Sequence, residues 1–126
     1  MSGAAFDWRT YLHLAQVLLA QADRSPLQEA YQRSAVSRAY YAAFCHARNW
    51  AQTRLGFRPR GTAADHFGLK EHLAQSGASH FISAANLLDR LRKLRNQCDY
   101  EDKLPDLPVL APSALQIAQQ ILAYFP

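Results

Sequence analysis

The chain has 126 residues, of which 49% are hydrophobic and 19% charged, and carries a formal net charge of +4. That length suits a single domain with one core, roughly 100–150 residues being the usual unit, and speaks against a two-domain enzyme. The composition excludes a disordered chain, and two cysteines, Cys45 and Cys98, cannot build a structural zinc site by themselves.

Taken in chain order, the first helical pattern covers Asp7 to Asp23, with Asp7 as its cap and Trp8, Leu12, Ala15, Leu18 and Leu19 recurring at helical spacing. Ser25-Pro26-Leu27-Gln28 then reads as a fresh start, with Ser25 capping, Pro26 in the first helical position and Gln28 closing a capping box. No Gly or Pro interrupts the chain from there to Gly56, so this second helix is long, about 30 residues or roughly 45 Å. GFRPRGT (56–62) is a loop, and Thr62 caps a third, short helix over Ala63 to Gln75. A fourth runs from Ser79 to about Gln97 with Phe81, Ala84, Ala85, Leu88, Leu91 and Leu94 on one face. DYEDKLPDLPVLAP (99–112), with three prolines and four acids, reads as an extended linker, and Ser113 caps a last helix carrying Leu115, Ile117, Ala118 and Ile121. No alternating strand pattern occurs. The expected fold is all-α, one up-down bundle of about five helices over 1–126, the long second and fourth helices packed antiparallel. Five helices on so short a chain leave some apolar stripe uncovered, so a homodimer is expected.

No apolar run reaches the 18 or so residues of a membrane span, and the N-terminus lacks the basic-then-apolar order of a secretory signal, so the expected location is the cytoplasm, without membrane contact and with reduced thiols. The charge is uneven. Residues 24–60 hold seven arginines against Glu29 alone, and arginine outnumbers lysine 11 to 3 across the chain. The planar, permanently charged guanidinium suits phosphate, so an acidic partner such as RNA or a nucleotide is expected as well as a plain solvated face.

Phosphate-loop, dinucleotide, HExxH and Gly-x-Ser-x-Gly motifs are missing, and no two of the five histidines stand three or four apart, so neither a metal nor a cofactor is expected. Two polar clusters remain. On the second helix Arg38, Tyr41, Cys45 and Arg48 share a stripe, while Tyr40, Phe44 and Trp50 read as core. Arg38, set among Ala, Tyr and Phe, calls for a fixed anion, either Asp99 or a ligand phosphate. On the fourth helix Arg92, Arg95, Asn96, Asp99 and Tyr100 fall within about two turns; Arg95 and Asp99, four apart, form either a surface salt bridge or part of a phosphodiester site.

The pairing of Ser37-Arg38-Ala39-Tyr40-Tyr41-Ala42-Ala43-Phe44 with Leu94-Arg95-Asn96-Gln97-Cys98-Asp99-Tyr100 resembles the HEPN domain, in particular small stand-alone bacterial and archaeal HEPN proteins with an Arg-x-x-x-Asp-Tyr motif. The resemblance implies a helical bundle whose dimer brings two copies of the second motif to one cleft. It also implies RNA-directed function in a toxin–antitoxin or defence setting, often beside a nucleotidyltransferase-like antitoxin. In the nucleases of this family, metal-independent ribonucleases, a histidine follows the motif arginine; counting five on from Arg95 gives Tyr100, and no histidine lies between Arg95 and Pro126. A free phenol, with a pKa near 10, is a poor base at neutral pH. His46 lies one step round the helix from the position where relatives carry a second histidine, which here is Cys45.

Two functions follow. The first is a non-catalytic, dimeric module that binds RNA, a nucleotide or a partner protein through Arg38, Tyr41, Arg48, Arg92 and Arg95. The alternative is an active, metal-independent endoribonuclease toxin using Arg95 and Asn96 with Asp99 and Tyr100. The acids of the linker, Glu101, Asp102 and Asp106, are further expected to cover the cleft of the free protein.

Overall fold

The computed structural model describes residues 4–126, and in it five helices follow one another: α1 (Thr10–Ala22), α2 (Gln28–Arg54), α3 (Ala64–Ala74), α4 (Ser79–Tyr100) and α5 (Leu107–Ala123). The all-α bundle with long second and fourth helices is the architecture observed, and no strand occurs among the described residues.

Helix α2 is the hub, because its side chains are small where neighbours must approach. Ala35, Ala39, Ala42, Ala43, Ala47 and Ala51 are fully buried, and α1, α4 and α5 pack around them. Alanine combines high helix propensity with no side-chain entropy to lose, so such a stripe costs the helix nothing while letting three partners close in. Direction follows from side-chain pairs at each end. Arg33, early in α2, bonds carbonyls at the end of α4, while Trp50, late in α2, packs on Phe81 at the start of α4 and on Phe125, so α4 runs antiparallel and α5 parallel to α2. Helix α3 lies along α4 in the opposite sense, tied by the Lys70–Asp89 ion pair at 3.4 Å. On α1, Leu14 and Val17 stay exposed on a face apart from the stripe read in the sequence, whose Leu12 and Ala15 are buried.

The linker expected over 99–112 is much shorter than its prolines suggest, only residues 101–106. Helix α4 continues through Tyr100 and α5 begins at Leu107, not at Ser113. Pro108 stands in the first turn of α5, where its missing N–H has no partner to lose, and Pro112 is tolerated because burial decides. Leu107, Ala111, Ala114, Leu115 and Ala118 form one buried stripe, and Asp106, in the left-handed conformation at φ 62°, turns the chain into it. The expected caps also differ. Asp7 accepts from the backbone and side chain of Arg9 outside α1, Ser25 Oγ accepts from Leu27 N, and neither Gln28 nor Thr62 gives its helix a side-chain cap.

Candidate nucleic-acid interface around Arg95

Arg95 sits on α4 opposite Tyr41 of α2, and its guanidinium is held by side chains from both helices. Its Nη2 donates to the Tyr41 hydroxyl at 2.8 Å and its Nη1 to Asn96 Oδ1 at 3.0 Å. Nε approaches Asp99 Oδ2 at 2.8 Å as an ion pair, but the N–H is not aimed at the carboxylate and makes no hydrogen bond. The rings of Tyr40, Tyr41 and Tyr100 stand 5.2–5.9 Å from the guanidinium carbon, within cation–π range. Of the five fourth-helix residues singled out from sequence, Arg95, Asn96, Asp99 and Tyr100 form one cluster, with Tyr41 joining it from α2, while Arg92 lines the cavity beside it.

Arg95 is the wall between two cavities. The first, about 570 Å³, is lined by Arg33, Ser37, Arg38, Tyr41, Arg95 and Asp99 among others. The second, about 360 Å³, lies between α2, α3 and α4, and its lining includes Tyr40, Tyr41, His66, Arg92, Arg95 and Tyr100. Both fall in the roughly 300–1,000 Å³ range of small-ligand sites. Arg38 lines the first and Arg92 the second, and neither has a carboxylate partner among the described residues. Of the two anions expected for Arg38, Asp99 or a ligand phosphate, Asp99 is taken by Arg95, one turn away on the same helix; Arg38 covers the Tyr11 ring of α1 at 5.1 Å.

Other sequence-named residues lie elsewhere. Arg48 lines neither cavity; it stacks over Trp8 and Phe44 and donates to Asn49. His46 bonds the Phe125 carbonyl at 2.7 Å, which ties α2 to the C-terminal end of the chain. Tyr40 and Phe44 are buried as expected, while Trp50 is half-buried and donates its indole N–H to the Pro126 carbonyl. Both cysteines are free and buried, and burial pushes the Cys98 thiol up to about 11, so neither is a nucleophile in waiting. Glu101, Asp102 and Asp106 line neither cavity. Arg33 donates to the backbone carbonyls of the first two and makes no bond to their carboxylates, so the cleft is not covered by these acids.

His66 has no histidine three or four residues away, so the sequence does not single it out. The structure brings it from α3 to the Arg95 cavity, 7% exposed, with its Nδ1 2.7 Å from the Tyr40 hydroxyl. Burial, then the positive Arg92 beside it, push its pKa down to about 4, so the ring is neutral at pH 7. The only signal for it in the sequence was the segment Thr62-Ala63-Ala64-Asp65-His66 itself. Asp65, buried in the first turn of α3, accepts from the backbone N–H groups of Arg60 and Gly61 at 2.7 and 2.8 Å and so pins the loop beside His66. Those bonds, that of Arg60 foremost, hold its carboxyl below the usual range.

Comparison of the chain with protein-family models, curated proteins and solved structures finds no match.

Proposed function

We propose that this protein is an HEPN-like module that binds RNA or a nucleotide phosphate at Arg95, acts as a homodimer and does not cleave its ligand. The observation that carries the reading is the placement of Arg38 and Arg92 on either side of Arg95, each free of carboxylates, within a setting of tyrosine rings. Unpaired guanidinium groups attract phosphate, and exposed aromatic faces such as that of Tyr100, 75% exposed, stack on bases without demanding a sequence. The exposed face at Leu14 and Val17 is the apolar surface offered to a second copy.

The absence of cleavage is argued from the available bases. His66 stands in the right cavity but, at about 4, is too weakly basic to take a 2′-hydroxyl proton efficiently at neutral pH, and its Nδ1 is already engaged by the Tyr40 hydroxyl at 2.7 Å. Asp99 is engaged by Arg95. The endoribonuclease alternative and a nucleotidyltransferase-like antitoxin as partner rest on the family resemblance alone. The test is fluorescence anisotropy of a labelled single-stranded RNA, together with incubation of the same RNA with the protein in excess EDTA. Binding that weakens with salt and on Arg38→Ala plus Arg92→Ala, without cleavage, is the expected result. Cleavage by the wild type that disappears in Arg95→Ala would replace this reading by the nuclease, and unchanged binding by the double variant would overturn it.

A further inference from the structure

The Tyr40–His66 pair leaves one polar atom unexplained. Tyr40 is 4% exposed, and burial raises its phenol pKa, so it remains an O–H group that must donate. Its one partner is His66 Nδ1 at 2.7 Å. If Nδ1 carried the hydrogen, the phenol hydrogen would have no acceptor. The phenol therefore donates, Nδ1 accepts, and the ring hydrogen sits on Nε2. That Nε2 is buried and has no hydrogen-bond partner, in a side chain more than nine-tenths buried in the cavity wall. An orphaned buried donor is destabilising and calls for an explanation.

The surroundings specify what would satisfy it. Arg92 and Arg95 share the same cavity, and Arg92, Lys70 and Arg95 all make the local potential positive, whereas the acids nearby are already paired, Asp89 with Lys70 and Lys93 and Asp99 with Arg95, which keeps two further N–H groups on Tyr41 and Asn96. A neutral N–H donor beside two guanidinium groups is a site for an anion. The rest of the wall is aromatic: Tyr40, Tyr41, Phe44 and Tyr100. We infer that this α2–α3–α4 cavity is a subsite for the terminal phosphate monoester of a nucleotide, with His66 Nε2–H, Arg92 and Arg95 on the phosphate and Tyr100 on the base. The inference deepens the RNA- or nucleotide-binding reading and rests on it through Arg95, but it assigns a distinct cavity and a residue outside both motifs.

The experiment uses the full chain and 5′-AMP, with adenosine as the control lacking phosphate. The wild type is expected to prefer AMP over adenosine by at least about tenfold, and His66→Leu combined with Tyr40→Phe, which removes donor and acceptor together, is expected to reduce that preference below about threefold. A wild type without preference, or a double variant that keeps it, overturns the inference. A second measurement needs no variant: two-bond ¹H–¹⁵N spectra of the wild type should show His66 as the Nε2–H tautomer, with the Nε2 resonance shifting as AMP is added. An Nδ1–H ring, or an Nε2 resonance indifferent to AMP, likewise overturns it. Comparing short RNAs with 5′-phosphate and 5′-hydroxyl ends tells a free nucleotide from an RNA terminus: equal affinities assign the subsite to the free nucleotide, a phosphate-dependent gain to the RNA end. Should the broader reading fail instead, RNA binding will be absent or indifferent to salt while the AMP preference persists.

Discussion

Arg33 and Arg95 both reach the last turn of α4, and they are employed in opposite ways. Arg33 donates to Glu29, to the carbonyls of Cys98 and Glu101, and at 3.4 Å to that of Asp102, so it consumes the carbonyls that a helix end leaves without partners. Arg95 makes two directed hydrogen bonds, both to side chains, and forms the wall between two cavities. An arginine saturated by backbone carbonyls holds a fold together. One steered by side chains and rings, with cations on either side of it, holds a position for something else. Sequence charge counts treat the two alike, and only the identity of their acceptors separates them.

The sharpest contrast between the two regions should appear at acid pH, because a buried histidine lies in one of them. His66 has a pKa of about 4 in the fold, against an ordinary value of 6.5, and it faces Tyr40, Arg92, Arg95, Lys70 and Asp89. The neutral ring is what the fold favours, so its contribution is fully present above about pH 6.5 and is lost as pH falls toward 4, the unfolded chain taking up the proton first. By about pH 4.5 the loss should reach roughly 2–3 kcal/mol. Urea unfolding at the two ends of this window would measure it, and the His66→Leu, Tyr40→Phe variant should lose most of the difference. An equal acid sensitivity in that variant would place the effect elsewhere.

Next in size is Arg33→Ala. Loss of charge-assisted bonds to the end of α4 should cost about 2 kcal/mol in chemical denaturation, with amide exchange accelerating most over 98–102. Arg95→Ala should cost about half as much stability yet weaken RNA binding at least about tenfold, or roughly 1.4 kcal/mol. If the two variants lose stability and affinity in the same proportion, the division of labour between these arginines is wrong.

How far this arrangement is legible in the sequence differs between fold and site. Periodicity located five helices, because amphipathic stripes of Leu and Ala are local signals, and the need for the chain to return between them set α4 antiparallel to α2. Periodicity failed over 107–112, where proline chemistry argued for a linker while Leu107, Ala111 and Ala114 continued the stripe of α5; burial outweighed the lost hydrogen bond. The Arg95, Asn96, Asp99 and Tyr100 cluster was legible, since those residues share one helix end. The Arg95–Asp99 pair, four apart on α4, was legible as well; what could not be read were the side-chain contacts between helices, that Arg38 meets no acid, that Arg33 clamps α4, and that His66 on the short α3 shares a cavity with Arg95. The His66 placement depends on how α3 returns along α4 and the Arg33 clamp on how α2 packs against the end of α4, and no spacing along the chain encodes either.

The smallest effect is also the most discriminating, because it reads phosphate contact without relying on overall affinity. For single-stranded RNA the logarithm of the binding constant falls with the logarithm of salt, with a slope of about 0.7 for each phosphate neutralised. Arg38 lines the larger cavity and has no carboxylate to release, so Arg38→Ala should reduce that slope by about 0.7, measured by anisotropy between roughly 50 and 200 mM salt. Arg33 lines the same cavity, yet its N–H groups are already spent on Glu29 and on carbonyls. In folded Arg33→Ala the slope should therefore match the wild type even though the protein is less stable. A slope lowered equally by both variants would mean that RNA competes Arg33 away from the end of α4, and that its clamp opens on binding rather than merely supporting the site.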